Sequence, residues 1–213
     1  MRLTVLGASG GTGQQLVRQA LEHGHQVTAV LRDPARLPLE HEQLTLSTSD
    51  MTDPDALRDV VAGRDAVLSA LGASGNKQAA ALPIASTGIR AALTAMDATG
   101  VRRLVAVSAA PVGPTPRSET LTGRVLFRTL RRVFHGVYAD LARMEEELRD
   151  SSTEWTVLRP PRLLDKPLTG RYARVPGGAV PRRHQISRAD LAHAMLATLD
   201  DSGTVRKVLG VAS

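Results

Sequence analysis

The sequence predicts an α/β fold: a doubly wound, mostly parallel sheet with helices on both faces, in a single domain spanning residues 1-213. Apolar runs of strand length alternate with segments in which apolar residues recur at helical spacing. The connections between successive strands are long enough for right-handed crossovers. No linker or composition break divides the 213 residues, and a chain of this length can bury one substantial core.

The first strand, turn and helix form the most informative unit. An apolar run at Arg2 to Leu6 precedes a glycine-rich turn, and apolar residues at helical spacing follow from Gln14 to Glu22. Glycines in such a turn allow a tight reversal, close approach of backbone N–H groups to a pyrophosphate, and close packing of helix on strand. A helix N-terminus favours the anion. The turn therefore predicts a dinucleotide site that includes Gly7, Ser9, Gly10, Gly11, Thr12 and Gly13.

The second strand, Gln26 to Leu31, ends in residues that bear on cofactor choice. In a βαβ dinucleotide fold an acidic residue here binds the ribose hydroxyls, whereas an arginine can accept a 2′-phosphate. Arg32 follows the strand directly and Arg36 comes one helical turn later, which favours NADP over NAD as the cofactor. Asp33 argues the other way, and Arg32 as an ordinary charge at the end of a strand remains an alternative.

Two further strand ends are predicted to reach the nucleotide. Beyond the third strand, Leu44 to Ser47, Asp50 and Met51 are candidate cofactor contacts near the adenine, although Asp50 could equally form a turn. The fourth strand begins at Asp65, and its exit supplies Ala70, Leu71 and Gly72 as cofactor contacts. Its small residues leave space for the cofactor.

A serine marks the end of the fifth predicted strand, Arg102 to Val107, which follows a long predicted helix from about Ala79 to Thr99. Open α/β sheets bind ligands at the carboxyl ends of their strands. Ser108 is therefore a candidate for contact with the cofactor and for catalysis. A purely structural serine at the end of a strand is the alternative.

The stretch from about 111 to 137 is predicted to be a loop and helix. Three prolines and a glycine mark an extended loop from Pro111 to Pro116, and an amphipathic helix is predicted from Gly123 to Val137. Its apolar face comprises Leu126, Leu130, Val133, Phe134 and Val137, and its basic face comprises Arg124, Arg128, Arg131 and Arg132. A solvated face, a lid over an anionic ligand, a self-association surface and a membrane-surface contact all remain open for the basic residues.

The last third returns to the sheet. Leu141, Met144 and Leu148 continue a helical pattern in which Glu145, Glu146 and Glu147 are predicted to face outward. A strand at Trp155 to Leu158 ends in Arg159-Pro160-Pro161-Arg162, which places Pro161 near the expected nicotinamide. A short strand is predicted at Tyr172 to Val175. Ser187 to Asp190 forms a capping box that opens a last helix to about Leu199, before a final strand from Val205 to Val211.

Composition narrows the function classes. The chain has 27 basic and 21 acidic residues, a net charge of +6, and no cysteine, so disulfides and thiolate chemistry are excluded. The basic residues lack the aromatic-rich face of a nucleic-acid site, and no histidine pair suits a metal. The chain begins directly with a strand and has no apolar run of about 18 residues. We expect a cytoplasmic protein with a small-molecule substrate, as a monomer or small homo-oligomer, with no nucleic-acid, membrane or metal partner.

These motifs resemble a known family, the atypical short-chain dehydrogenase/reductases with an NAD(P)H-binding, NmrA-like domain. The closest likeness is to the biliverdin-IXβ reductase/flavin reductase group. The glycine turn, the Leu31 to Leu37 stretch and the segment from Pro167 to Tyr172 carry the resemblance, with Ile186 to Leu191 near the end. The resemblance covers nearly the whole chain except 111-137, which is longer here and is predicted to be an insertion.

The resemblance implies a Rossmann fold, a bound NADPH and hydride transfer to a flat conjugated acceptor such as a flavin, quinone or tetrapyrrole. It implies that Ser108 lies beside the nicotinamide and that Pro161 to Leu163 border the substrate pocket. Such chemistry depends on the cofactor and on positioning, so it needs few acid or base groups. The nucleotide contacts that it implies are Gly10, Thr12, Gly13, Arg32, Arg36, Asp50, Leu71 and Gly72.

Departures from the family pattern leave the substrate open. Tyr138 is followed four residues later by Ala142, so the Tyr-x-x-x-Lys pair of ordinary short-chain dehydrogenases is absent. Flavin reductases carry histidines where this chain has Leu141 and Arg162. Tyr138 could donate a proton alone and Arg162 could attract an anionic substrate, so both join Ser108 as catalytic candidates. Two other functions remain: a non-catalytic NADP(H)-sensing regulator, and an epimerase- or dehydratase-like tailoring enzyme of specialised metabolism.

Overall fold

A computed structural model of the protein describes residues 1–73 and 75–213. The strands are β1 (Arg2–Leu6), β2 (Gln26–Val30), β3 (Leu44–Ser47), β4 (Ala66–Ser69), β5 (Arg103–Val107), β6 (Glu154–Arg159), β7 (Arg162–Leu164), β8 (Ala173–Pro176), β9 (Gln185–Ser187) and β10 (Lys207–Ala212). The helices are α1 (Gly11–Glu22), α2 (Pro54–Val61), α3 (Asn76–Ala81), α4 (Ile84–Thr99), α5 (Leu121–Val133), α6 (His135–Asp150) and α7 (Arg188–Leu196). Short 3₁₀ turns lie at Pro34–Arg36, Ala110–Val112 and Ser202–Thr204.

Eight strands form one sheet in the order β3-β2-β1-β4-β5-β6-β10-β8. Every pairing is parallel except that of β8 with β10, and β7 and β9 form a separate two-stranded parallel sheet. The strand order reverses between β1 and β4, and such a reversal opens a crevice at the carboxyl ends of the strands. The structure thus confirms the predicted fold class, a Rossmann-type doubly wound sheet.

Helices cover both faces of the sheet and build two apolar layers. On one face α1 packs against α7; on the other α4 packs against α2 and α6. The first layer includes Leu3, Leu16 and Leu191, and the second includes Leu57, Ile89 and Met144. Aromatic residues are scarce in this sequence, so leucine, valine and alanine fill most of both layers. This two-layer core holds the strand ends at which the candidate site lies.

The single helix predicted from Ala79 to Thr99 is wrong, because the chain breaks at Leu82 and Pro83. A proline disfavours helical geometry in the residue before it, and Leu82 is extended, with φ −148° and ψ 105°. The new helix α4 has no side-chain cap of its own. Buried Asp140 of α6 replaces that cap, since its carboxylate accepts hydrogen bonds from the backbone N–H groups of Ala85 and Ser86, each 3.0 Å long.

The predicted helix from Gly123 to Val137 is also divided. It begins earlier, where Thr120 Oγ1 accepts a hydrogen bond from Gly123 N at 3.1 Å, and it ends before Phe134, which joins α5 to α6. Its predicted apolar face is mostly not buried, because only Gly123 and Phe127 are buried along α5. A periodic pattern identifies an apolar face but not whether another element covers it.

The C-terminal elements shift by a few residues from their predicted positions. The strand predicted at Tyr172 to Val175 is β8, the last helix ends at Leu196, and the last strand is β10; β7 and β9 were not predicted. Ser187 caps α7 as expected, accepting from Asp190 N at 2.8 Å. The Asp190 carboxylate does not complete the box. It accepts instead from the backbone N–H groups of Thr169 and Gly170, at 2.8 and 2.9 Å.

Candidate functional site

The glycine turn after β1 has the geometry that close packing and anion binding require. Gly7 has φ +76°, a left-handed conformation that favours glycine. A Cβ on Gly13 would lie 2.2 Å from the Gly7 carbonyl oxygen, so only glycine fits between α1 and the end of β1. Gly10 caps α1 without a side-chain hydrogen bond. The first turn of α1 therefore presents backbone N–H groups and the positive end of the helix dipole to an anion.

A cavity of about 360 Å³ opens beside this turn at the carboxyl edge of the sheet. Most of the predicted cofactor residues line it: Gly7, Ser9, Gly10, Arg32, Arg36, Met51, Ala70, Leu71 and Gly72. Gln78, Ala81, Leu82 and Ile84 of the broken helix complete its wall. The structure thus brings together residues that follow four different strands, β1, β2, β3 and β4. We call this space the first cavity.

Arg32 and Arg36 lie at the rim of the first cavity on a fixed turn. Asp33, which argued for NAD, is occupied elsewhere: its Oδ1 accepts from Ala35 N at 3.1 Å and caps the 3₁₀ turn. Gln14 of α1 holds the same turn, donating from Nε2 to the Arg36 carbonyl oxygen at 2.9 Å. Neither arginine forms an ion pair within the part of the chain that the structure describes. Two guanidinium groups are thus available to an anion at this rim.

The remaining predicted contacts near the turn have other positions. Asp50 does not line the first cavity; its Oδ1 accepts from Thr52 N at 2.9 Å and from Thr52 Oγ1 at 2.8 Å. These hydrogen bonds, the backbone one foremost, lower the pKa of Asp50. Asp50 therefore forms a turn that presents Met51 to the cavity. Thr12 and Gly13 are buried in the first turn of α1.

A larger second cavity, of about 840 Å³, lies at the ends of β5 and β6. Its size suits a ligand of several rings. Phe127, Phe134 and Tyr138 contribute aromatic side chains, and Pro111, Pro160 and Pro161 contribute proline rings. Leu126 and Leu130 of α5 and the polar residues Arg162, Arg182, Arg183, His184 and Gln185 also line it, with Ala109 and Ser213. We call this space the second cavity.

Tyr138 and the neighbouring residues Pro161 and Arg162, which are distant in sequence from Tyr138, all line the second cavity. Partial burial raises the pKa of Tyr138 above its usual value near 10. The phenol therefore keeps its proton across the neutral pH range and is available as a hydrogen-bond donor. Arg162 is exposed at the cavity wall, where its charge faces any entering ligand.

A buried carboxylate joins the two walls of the second cavity. Glu119, just before α5, accepts from Thr120 N at 2.9 Å and from Arg182 N at 3.0 Å. Burial on its own would raise the pKa of Glu119, but these hydrogen bonds outweigh it and lower the pKa. Arg182 has φ +59°, a left-handed conformation that is unfavourable for a residue with a side chain. Glu119 thus holds a strained segment against α5.

Ser108 ends β5, between β4, whose exit lines the first cavity, and β6, whose exit lines the second. It is buried and lines neither cavity. Its Oγ donates to Glu145 Oε1 at 2.7 Å. While that bond holds, the Ser108 hydroxyl offers a ligand only its lone pairs. The predicted serine is therefore at the expected strand end, but the structure places it in the wall behind the cavities, where it donates to Glu145.

The prediction that Glu145 faces outward is wrong, since this carboxylate is only 1% exposed. Arg159 pairs with it in a bidentate arrangement, with Nε 2.8 Å from Oε1 and Nη2 2.5 Å from Oε2. Arg149 Nη2 lies 2.7 Å from Oε2. Ser108, Glu145 and Arg159 thus form one buried polar network that joins β5, α6 and β6.

The described residues contain neither a candidate metal site nor a candidate membrane-spanning helix. No group of three or more histidine, aspartate or glutamate side chains within 1–73 or 75–213 could hold a metal ion. No helix in the same residues is both long and apolar enough to cross a membrane.

The sequence matches the profile of a family described as NAD(P)H-binding over residues 7–202. Among curated proteins, a 3-beta-hydroxysteroid dehydrogenase of Mycolicibacterium neoaurum is 39% identical over 66 residues, which is 31% of this chain and 18% of that protein. The match therefore spans less than a fifth of that relative and says nothing of its whole activity.

Solved structures share the fold over the whole chain. A short-chain dehydrogenase/reductase of Veillonella parvula in complex with NADP is 23% identical, with a TM-score of 0.81, covering 100% of this chain and 94% of that one. A candidate NADH-flavin reductase of Streptococcus pneumoniae is 22% identical, with a TM-score of 0.77 and coverage of 100% and 99%. A candidate NAD-dependent epimerase/dehydratase of Bacillus halodurans is 22% identical, with a TM-score of 0.77 and coverage of 100% and 94%.

Proposed function

The chain belongs to the NAD(P)H-binding family of Rossmann-fold oxidoreductases. From this premise, we propose that it is an NADPH-dependent reductase. Its substrate is a flat conjugated acceptor of the flavin, quinone or tetrapyrrole type. One observation carries the proposal: a large cavity with aromatic and proline walls lies at the ends of β5 and β6, on the same carboxyl edge of the sheet as the first cavity. Rings of this kind suit a planar apolar ligand.

The residues of the first cavity fit a dinucleotide. The space between Gly7 and Gly13 would be filled by any Cβ, and the first turn of α1 offers N–H donors to a diphosphate. Arg32 and Arg36 suit a 2′-phosphate, since a guanidinium can make two hydrogen bonds to phosphate oxygens. When bound, the nicotinamide supplies the hydride. The protein supplies the binding sites and their relative orientation.

Each candidate residue then has a role that its contacts allow. Ser108 is buried and lines neither cavity, so its role is positioning: its hydrogen bond to Glu145 fixes the end of β5 between the two cavities. Tyr138 holds its proton and donates a hydrogen bond to the acceptor. Arg162 attracts an anionic acceptor by charge. This reaction needs no lysine partner for Tyr138, in agreement with the absence of the Tyr-x-x-x-Lys pair.

Steady-state oxidation of NADPH tests the proposed function directly. Purified protein is given NADPH with flavins, quinones and linear tetrapyrroles in turn, and absorbance loss is followed at the nicotinamide band. We expect turnover with at least one acceptor. Tight NADPH binding with no turnover across the panel would instead support the alternative function, a non-catalytic NADP(H)-sensing regulator. The exposed apolar residues Leu121, Val125 and Val133 of α5 would then offer a surface for a protein partner.

The charge on Arg162 predicts a difference between anionic and neutral acceptors. Arg162→Gln is expected to raise KM for an anionic acceptor by roughly three- to tenfold, with kcat nearly unchanged, because an exposed charge contributes mainly to binding. A neutral quinone should show no change. Arg171→Gln removes an exposed arginine outside the cavity and is the matched control. Equal effects on both acceptor types would contradict the role of Arg162.

Arg32 and Arg36, at the rim of the first cavity, predict a preference for NADPH over NADH. Arg32→Gln is expected to raise the Kd for NADPH by about 10- to 100-fold and to leave the Kd for NADH nearly unchanged, because only NADPH carries the 2′-phosphate. Arg36→Gln should act in the same direction. Quenching or enhancement of nicotinamide fluorescence measures both constants. Arg18→Gln, on the exposed side of α1, is the control; a parallel loss of NADH affinity in Arg32→Gln would refute this assignment.

A further inference from the structure

Helix α7 places a guanidinium at the first turn of α1. The two helices pack side by side on one face of the sheet. Arg188 is the first residue of α7, and its Cδ and Nε lie 2.7 and 2.8 Å from the position that a Cβ on Gly11 would occupy. Arg188 therefore fills the space left by the missing side chain of Gly11. The glycine motif serves a second purpose here, since it admits an arginine from a distant part of the chain.

This placement is electrostatically unfavourable without a ligand. The N-terminus of a helix carries a partial positive charge, so a cation there is repelled. The carboxylate that pairs with Arg188 is Asp165, with Nη1 2.7 Å from Oδ1. The Asp165 side chain is 88% exposed and that of Arg188 is 29% exposed, and such surface pairs contribute little. The fold thus holds a cation against the positive end of α1 with weak compensation.

A bound anion reverses the sign of this interaction. Both the N–H groups of the first turn of α1 and the guanidinium would then face the same negative charge. We propose that Arg188 contacts the diphosphate of the bound dinucleotide and exchanges Asp165 for phosphate oxygens when the cofactor binds. The inference rests on the nucleotide site of the proposed function, and it adds a residue from the other end of the chain to that site.

The diphosphate is common to NADPH and NADH, so Arg188 acts differently from the rim arginines. Arg188→Gln is expected to raise the Kd for both dinucleotides by about tenfold, because one charge-assisted contact is lost. The dependence of Kd on salt concentration should also become weaker, since one ionic contact fewer is screened. Arg188→Lys keeps the charge and should retain much of the affinity. Arg32→Gln, in contrast, should affect NADPH alone.

Two further variants separate a contact with the cofactor from a structural role. Asp165→Asn frees Arg188 from its partner and should leave Kd unchanged or lower it. Gly11→Ala retains the arginine but displaces it, because the new Cβ would overlap its flexible side chain; both Kd values should rise as in Arg188→Gln. Urea unfolding verifies that each variant is folded before titration.

Three outcomes decide the matter. Unchanged Kd values for both dinucleotides in a folded Arg188→Gln variant would overturn the inference, as would a loss confined to NADPH. Arg188→Gln could raise both Kd values as expected while the unsubstituted protein turns over no acceptor. That result would leave the inference standing and overturn the proposed reductase. An unsubstituted protein that binds neither dinucleotide would overturn both.

Discussion

Replacing Glu145 by alanine is expected to lower the free energy of unfolding by about 3–5 kcal/mol, the loss typical of breaking a buried ion pair from one side. The change leaves the guanidinium of Arg159, which is 6% exposed, without its carboxylate. It also leaves the Ser108 hydroxyl without the acceptor that now binds it at 2.7 Å. Burying these groups unpaired is costly, because water cannot replace the lost partner. Urea denaturation followed by circular dichroism measures the effect.

The same helix supplies a matched control. Glu147 of α6 also pairs with an arginine, Arg90, but that arginine is largely exposed. Glu147→Ala should therefore cost no more than about 1 kcal/mol. A double variant, Glu145→Leu with Arg159→Met, removes both charges and should recover much of the lost stability, as apolar replacements of buried pairs often do. Similar losses for Glu145→Ala and Glu147→Ala would show that burial does not govern this network.

The network also matters for the proposed reaction. A serine whose proton is donated to a buried carboxylate has a fixed hydroxyl orientation, and its lone pairs point away from Glu145. Arg159 in turn depends on Gly113, where a Cβ would lie 2.2 Å from its Nη1. The position of Ser108 is thus set by α6, β6 and the loop after β5 together. Preorganisation of this kind supports hydride transfer, because the ligand is oriented before reaction.

Local patterns in the sequence predict most of the residues that line the first cavity. A strand, a glycine turn and a helix are encoded in consecutive residues, and parallel strands bring their carboxyl ends to one edge. The exits of β1, β2, β3 and β4 therefore meet at the first cavity. Asp33 and Asp50 were harder to assign, because a short carboxylate can cap its own turn or bind a ribose, and the sequence looks the same in both cases.

The second half of the site depends on contacts between distant residues. Glu145 lies four residues after Leu141, at helical spacing, and directly after Met144. This spacing places it on the buried face of α6. A charged residue was expected to face outward because its partner Arg159, on another element, could not be identified. Similarly, the pattern in α5 showed an apolar face, but only the structure shows that Leu126 and Leu130 border a cavity.

The break between α3 and α4 has a local signal in the sequence, the proline at position 83. Pro83 interrupts an alanine-rich stretch of strong helix formers, whose composition favours one continuous helix. Leu82 and Ile84, on either side of it, line the first cavity. The interruption therefore shapes the first cavity, and the buried cap from Asp140 holds α4 in place.

Substituting alanine for Gly13 is expected to lower both the stability and the affinity for dinucleotides, although alanine is the better helix former. Helix propensity alone would stabilise α1 by up to about 1 kcal/mol. Against this, the new Cβ would lie 2.2 Å from the Gly7 carbonyl oxygen and 2.8 Å from Ala8 Cα. These are backbone atoms, so no side chain can rotate away, and α1 must move by about 1 Å to restore a van der Waals separation.

Overpacking of this kind costs about 1–3 kcal/mol or more, so we expect Gly13→Ala to give a net loss of stability in urea. The N–H groups of the first turn move with the helix, so the Kd for NADPH and for NADH should rise together. Gly178→Ala is the matched control, because nothing lies within 4 Å of its Cβ position and its φ is outside the left-handed region. A Gly13→Ala protein that is more stable than the original and binds both dinucleotides normally would mean that α1 tolerates the shift. The close packing of helix on strand would then not be what positions the phosphate-binding turn.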